Sequence, residues 1–375
     1  MTGLRLLGAG ATATGAAVAL LLTATRRARR AQDPSFKPGP REALFYRKLS
    51  GRRVRCELCF RRCVIPPGGR GFCKVRENRG GRLYTLVYGL PCALQIDPIE
   101  KEPLLHVLPG SRIFCLATVG CSQRCYFCHN WHISQALPEE VPGVPLSPRE
   151  AVRIAKRRGC VGVSFTYVEP TVFYEYMLDV AKAFKAAGMR AFLHTCGAIN
   201  LKPLSVLLRY LDAVVVDLKG FTEKFYERAS PGGDLRHVLS VIKAVKKAGV
   251  WLEIVNLVIP GYNDDLGDIK RMCLWIKREV GPEVPLHFSR FFPAHKMRHV
   301  PPTPVKTLEE ARRVALSVGL KFVSIGNVPG HPANSTYCPR CGRVVIRRHH
   351  FAVLEVNLRR GKCKFCGRPI PGIWA

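Results

Sequence analysis

Sixteen cysteines stand in the 375 residues, and their spacing sorts them into three tight groups and five singles. The central group lies in Gly120-Cys121-Ser122-Gln123-Arg124-Cys125-Tyr126-Phe127-Cys128, a C-x3-C-x2-C pattern. Three thiolates on one short loop can hold three corners of a 4Fe–4S cube and leave the fourth iron without a protein ligand. Such clusters ordinarily take four thiolates, so three implies a small molecule at the open position. A structural zinc would instead need a fourth Cys or His, for which His129 or His132 is available. Spacing alone leaves both readings standing.

Two further groups flank it. Cys338-x2-Cys341 and Cys363-x2-Cys366 read as a four-cysteine zinc ribbon, with a rubredoxin-type iron as the alternative. Gly342 and Gly367 follow the second cysteine of each pair and let the backbone turn toward a metal. Cys56-x2-Cys59-x3-Cys63, with Cys73, forms a second four-thiolate set. Zinc there would stabilise the segment, whereas an auxiliary iron–sulfur cluster could pass electrons; the spacing fits either. In a chain this large, with an evident core pattern, these thiols read as reduced metal ligands rather than disulfides. The singles Cys92, Cys115, Cys160, Cys196 and Cys273 read as buried thiols, and Cys196 alone falls where chemistry is expected.

Something must position the central loop. From about residue 111 to 326, short apolar runs alternate with amphipathic stretches: Ile113–Ala117, Val161–Phe165, Arg190–Leu193, Ala213–Val216, Trp251–Val255, Leu286–Phe288 and Lys321–Ile325. Such runs suit strands buried on both faces of a parallel sheet. Between them, Val238, Val241, Ile242 and Val245 repeat at helical spacing before Gly249. The alternation predicts an α/β fold, a complete or partial βα barrel. A barrel demands its chemistry at the C-terminal ends of the strands. Cys121, Thr166 to Pro170, His194, Thr195, Asp217, Lys219, Asn256 and His287 to Arg290 all fall there in the sequence.

The C-x3-C-x2-C loop with an aromatic before its third cysteine, after the first barrel strand, resembles the radical S-adenosylmethionine (SAM) superfamily. It is more similar still to the relatives of pyruvate formate-lyase activating enzymes, and most of all to the radical SAM enzymes of the AmmeMemoRadiSam system. The resemblance spans roughly residues 43–375. It includes Ala43-Leu44-Phe45-Tyr46-Arg47-Lys48-Leu49, Asp97-Pro98-Ile99-Glu100-Lys101, Pro260-Gly261-Tyr262-Asn263-Asp264 and the terminal cysteine module. It implies a 4Fe–4S cluster on Cys121, Cys125 and Cys128, with SAM chelating the open iron. It implies that Phe127 packs near the adenine and that Thr166-Tyr167-Val168-Glu169-Pro170 stands where the superfamily has a Gly-Gly-Glu-Pro-like turn for the methionine amino group. Both glycines are missing here, so contacts there fall to the backbone or to Thr166. Lys219 of Asp217-Leu218-Lys219 would reach the SAM carboxylate, and His287 would match a ribose-contacting position. The resemblance further implies a reductant such as ferredoxin or flavodoxin. It also implies hydrogen abstraction from a substrate: a glycine in a partner protein, a lipid or a small molecule.

Each residue also has a plain reading. Glu169 before a proline can cap the next helix, Lys219 can be a solvated loop lysine, and Asp217 can form a turn. Their shared place at strand ends favours the catalytic reading. No Ser-His-Asp or paired-carboxylate site stands out.

Composition bounds the remainder. Hydrophobic residues make up 47% and charged residues 23%, so most of the chain is not disordered. Lys and Arg number 59 against 27 Asp and Glu, a formal charge of +32. The basic residues are scattered without aromatic interleaving, which disfavours nucleic acid as a partner. A basic zinc-ribbon nucleic-acid-binding protein and an iron–sulfur electron carrier are the rival classes. Leu6 to Thr23 is an uncharged run at the short end for a membrane span, followed by Arg26-Arg27-Ala28-Arg29-Arg30. The positive-inside rule then puts the bulk of the chain on the cytoplasmic side; a start codon near Ala43 is the alternative. The expected organisation is an anchor at 1–30, a linker at 31–50, a cysteine-rich segment at 51–110, a barrel at 111–334 and a zinc-ribbon module at 335–375.

Overall fold

The structure, a computed structural model, describes residues 35–375. Its centre is an eight-stranded sheet: β1 (Ala93–Pro98), β2 (Arg112–Ala117), β3 (Cys160–Phe165), β4 (Arg190–Thr195), β5 (Ala213–Asp217), β6 (Trp251–Val258), β7 (Leu286–Arg290) and β8 (Val323–Gly326). Spatial order follows chain order. β2 to β8 run parallel, and β1 pairs antiparallel with β2. β1 and β8 are the two edges, so the barrel is partial.

The apolar runs become strands because helices cover one face of the sheet and core fills the other. Helices α1 (Pro148–Arg157), α2 (Tyr174–Ala186), α3 (Leu201–Leu208), α4 (Glu223–Ala229), α5 (Leu235–Lys247), α6 (Leu266–Glu279) and α7 (Val305–Ser317) lie between the strands. In α5, Val238, Val241, Ile242 and Val245 are all buried. The Asp234 side chain accepts from the His237 N–H at its start, satisfying one of the orphan donors of a helix N-terminus. On the inner face, Ile113, Cys115, Phe192, Ala213, Val215 and Val255 pack against Ile99, Leu104 and Val107. The β1–β2 connection thus fills the lumen and leaves the chemistry to the opposite rim.

Before the barrel, Tyr46–Lys48, Val54–Cys56 and Val64–Ile65 form one small sheet, and Gly39–Glu42, Arg82–Tyr88 and Arg76–Arg79 another. Residues 39–48, expected as linker, therefore carry two strands. Pro40 is accommodated because Gly39–Glu42 is an edge strand with a register shift between Gly39 and Arg41, where a missing N–H costs little. Arg76 ties this segment to α2 through a buried pair with Glu175 at 2.9 Å. After the barrel, the strands Thr336–Tyr337, Val344–His349 and Ala352–Val356 form a three-stranded sheet. Buried Arg348 donates to the Leu105 carbonyl and lies 3.7 Å from Glu100, pinning this tail under the lumen plug.

The expectation of a membrane-spanning protein is corrected. The run at 6–23 lies outside the described residues, and among the described residues no helix is long and apolar enough to cross a membrane. The longest of these, α6, has 14 residues, against about 20 for a span. It also carries Lys270, Arg271, Lys277 and Arg278.

Candidate active site

The central cysteine loop leaves the end of β2 through Gly120. That residue has φ +91, and a Cβ there would stand 2.6 Å from Val75 Cγ1 and 2.7 Å from the Cys73 carbonyl. Only glycine lets the loop pass so close to the N-terminal segment. Cys121 Sγ accepts from the Gln123 and Glu169 N–H groups, each at 3.4 Å. Cys125 Sγ lies 3.0 Å from Ser230 Oγ, and Cys128 Sγ 3.5 Å from Ser134 Oγ. Burial pushes the Cys121 thiol up to about 12, while the two N–H donors pull toward thiolate. Iron would supply the positive charge that makes thiolate the stable form.

The donor set fits a cluster better than a lone ion. A single ion draws its ligand atoms to one point. Among the described residues, the groups whose ligand atoms all lie within 4.8 Å of one another are Cys338, Cys341, Cys363 and Cys366, and Asp97, Glu102 and Cys115. The three loop thiols are not such a group. His129 and His132, the alternatives for a fourth ligand, are both exposed.

Around the loop the structure gathers most of the expected residues. Phe127 is buried beside Phe225, with Lys219 Nζ 5.4 Å from its ring centroid. Glu169 caps the short 3-10 turn Pro170–Phe173 through the Thr171 N–H, as its plain reading anticipated. It also does more. Its carboxylate accepts from Thr195 Oγ1 at 2.8 Å, from the Cys196 N–H at 2.8 Å and from Cys196 Sγ at 2.8 Å. Glu169 thus ties the end of β4 to the loop whose first thiolate its own N–H contacts. Thr166 is buried at the end of β3. Tyr167 has φ +65, a left-handed conformation that glycine takes more cheaply, so the backbone keeps a glycine-like turn without the glycine. The Tyr167 hydroxyl points away from the loop and donates to Asp97 at 2.7 Å.

Asp217 and Lys219 pair at 2.9 Å. His194 Nε2 stands 3.3 Å from Asp217, and its Nδ1 3.2 Å from Glu102. Burial alone would raise the Asp217 carboxyl; Lys219 and His194 outweigh it and hold it well below the usual carboxylate range. Burial alone would lower His194; the Asp217 and Glu102 carboxylates outweigh it and hold the imidazole up at about 10. The sequence placed His194 at a strand end without giving it a role, and it did not point to Glu102. Position at the end of β4 was the available signal for His194, while Glu102 arrives from the lumen plug and gave none.

His287 does not join the group. It is buried with Nε2 2.6 Å from Glu253 and Nδ1 2.7 Å from Ser324. Glu253 in turn accepts from the Leu105 and His106 N–H groups of the plug. His287 is the second residue of β7 and faces the N-terminal side of the barrel, with both ring nitrogens engaged.

In the tail, Cys338 and Cys366 approach to 3.6 Å and Cys341 and Cys363 to 3.8 Å. A tetrahedral ion with bonds of roughly 2.3 Å to sulfur spaces its ligands about 3.8 Å apart, so the four thiols suit one ion.

A family model described as the Radical SAM superfamily matches residues 116–273. An uncharacterized protein of Methanocaldococcus jannaschii is 46% identical over 332 residues, covering 88% of this chain and 98% of its own. The pyruvate formate-lyase-activating enzyme of Clostridium pasteurianum is 26% identical over 192 residues, covering 49% of this chain and 76% of its own. Among solved structures, a radical SAM methyltransferase from Sphaerobacter thermophilus aligns over 83% of this chain and 84% of its own, with 13% identity and a TM-score of 0.46.

Proposed function

This chain is an enzyme that belongs to the radical SAM superfamily, and on that premise we propose that Cys121, Cys125 and Cys128 hold the 4Fe–4S cluster and leave one iron for SAM. When bound, cluster and SAM supply reductive cleavage of a sulfonium S–C bond, giving a 5′-deoxyadenosyl radical that abstracts hydrogen from a substrate. The observation that carries the assignment is the three-thiol loop itself. Its sulfurs sit at the C-terminal rim of β2, stay apart, and meet an N–H or a hydroxyl from three other segments.

The chain's own residues then have distinct tasks. Phe127 offers an apolar face for the adenine. Lys219, half-buried beside Asp217, holds a positive charge for the SAM carboxylate. Glu169 acts as a positioning residue, because its carboxylate is already committed to Thr195, Cys196 and Thr171. Thr166 and the left-handed turn at Tyr167 line the rim where the methionine amino group would sit. The four tail thiols hold a structural zinc. A ferredoxin- or flavodoxin-type protein supplies the electron.

The likeness to an activating enzyme favours hydrogen abstraction from a protein substrate, with small molecules and lipids as other classes. The test is anaerobic reconstitution, reduction with dithionite and quantitation of 5′-deoxyadenosine. Reductant-dependent formation supports the proposal; a reconstituted protein that leaves SAM intact contradicts it. Deuterium transfer into 5′-deoxyadenosine from labelled cell fractions then identifies the substrate class.

A further inference from the structure

The N-terminal quartet differs from the tail quartet in a way that bears on what it binds. Cys56, Cys59, Cys63 and Cys73 all line one small cavity, together with Arg76 and Ser122. Their sulfurs are not among the groups drawn within 4.8 Å of one another. The quartet therefore surrounds space instead of closing on a point. Two buried polar atoms of cavity-lining residues have no hydrogen-bond partner among the described residues: Ser122 Oγ and Arg76 Nε. Buried donors left unpaired are costly, and sulfide or thiolate sulfur would accept from both. Zinc saturated by four thiolates has no inorganic sulfide to offer them.

The cavity is also built into the wall of the catalytic loop. Ser122 directly follows Cys121. Arg61 Nε donates to the Ser122 carbonyl at 2.6 Å. Arg124 donates to the Cys121 carbonyl at 2.9 Å and to the Phe72 carbonyl at 2.7 Å. The Phe72 ring lies between these guanidiniums, 3.4 Å from Arg61 and 4.1 Å from Arg124. Positive groups around an iron–sulfur site favour its reduced, more negative state.

We propose that Cys56, Cys59, Cys63 and Cys73 hold a second iron–sulfur cluster, with Ser122 and Arg76 donating to its sulfurs, and that it relays electrons to the Cys121–Cys128 site. A ferredoxin- or flavodoxin-type donor loses one electron and the second cluster gains it. The second cluster then returns to its oxidised state as the catalytic cluster gains that electron. No bond or proton moves. The relay half rests on the proposed catalytic cluster, whereas the site half does not.

The test uses the full chain with Cys121, Cys125 and Cys128 all changed to Ala, reconstituted anaerobically. About four irons and four sulfides per chain, the content of one cube, together with a reduced-state paramagnetic signal that SAM leaves unchanged, are expected. A colourless variant with its iron replaced by zinc overturns the site. Should that variant fail to fold, Cys59→Ser with Cys63→Ser in the otherwise native chain is expected to halve the iron content, and full iron retention overturns the site. For the relay, the same double variant is expected to lose at least about tenfold in its flavodoxin-driven rate relative to its dithionite-driven rate; an unchanged ratio overturns the relay. Failure of the catalytic reading is distinguishable, because it would show as an absent SAM response in the native protein while the iron of the triple variant remained.

Discussion

The tail and the rim of the barrel both present cysteines on short turns, yet the tail brings four sulfurs together and the rim keeps three apart. In the tail, Cys338 meets Cys366 and Cys341 meets Cys363 within 3.8 Å. Its ligand count is full, so a metal there can fold the module but has no position left for a substrate. At the rim, Cys121 accepts the Glu169 N–H, Cys125 and Cys128 lie against the Ser230 and Ser134 hydroxyls, and among the described residues the three thiols are not part of any group whose ligand atoms all lie within 4.8 Å of one another. The lesson is one of valence: a saturated site stabilises, and a site one ligand short can do chemistry.

Removing a thiol from each region should break the parallel most sharply. Cys125→Ala is expected to reduce 5′-deoxyadenosine formation to background, because two thiolates cannot hold a cube with one distinct iron; persistent turnover would refute the assignment. Cys363→Ala in the tail should instead abolish binding of the proposed zinc, an ion that contributes roughly 10–16 kcal/mol to folding in small zinc modules. Proteolysis should then clip the chain after residue 335, while the barrel core up to that point stays protected. A tail as resistant as in the native protein would count against a structural metal.

Smaller effects sharpen the comparison. Glu169→Ala should slow SAM cleavage roughly 10–100-fold, the usual effect of losing an outer partner of a metal site, and should alter the spectrum of the reduced cluster. Loss of rate with an unaltered spectrum would argue that Glu169 acts apart from the cluster loop. The smallest effect concerns His194. Its pKa, raised to about 10 by the Asp217 and Glu102 carboxylates against the opposing effect of burial, lies above the unfolded value of about 6.5. The stabilisation is therefore complete below pH of about 6.5 and is lost as pH rises through about 10. His194→Gln should lower Tm more near the acid end of that window than near its alkaline end, and an equal loss at both would contradict a charged imidazole.

The strands were legible because both of their faces are buried, so each apolar run stands out without needing its partner. The Cys121-x3-Cys125-x2-Cys128 pattern was legible because it is local to eight residues. Other features depend on pairings far apart in the chain. Glu169 meets Thr195 and Cys196, and His194 meets Glu102 across 92 residues; nothing in either local sequence points to the other. His287 misled because the run holding it begins only one residue earlier, which puts it at the start of β7 and away from the rim. Tyr167 looked like a departure from a glycine turn, but its backbone adopts the left-handed conformation regardless. The two quartets share a residue type and similar spacing; only packing separates a closed site from an open one.

The most direct test of the central claim is the paramagnetic resonance spectrum of the reduced native protein before and after SAM is added. A vacant iron on the Cys121–Cys125–Cys128 cluster predicts a changed signal, with coupling from isotopically labelled SAM amino nitrogen and carboxylate. A signal that SAM leaves untouched, on a cluster shown to carry a fourth protein ligand, would contradict the account.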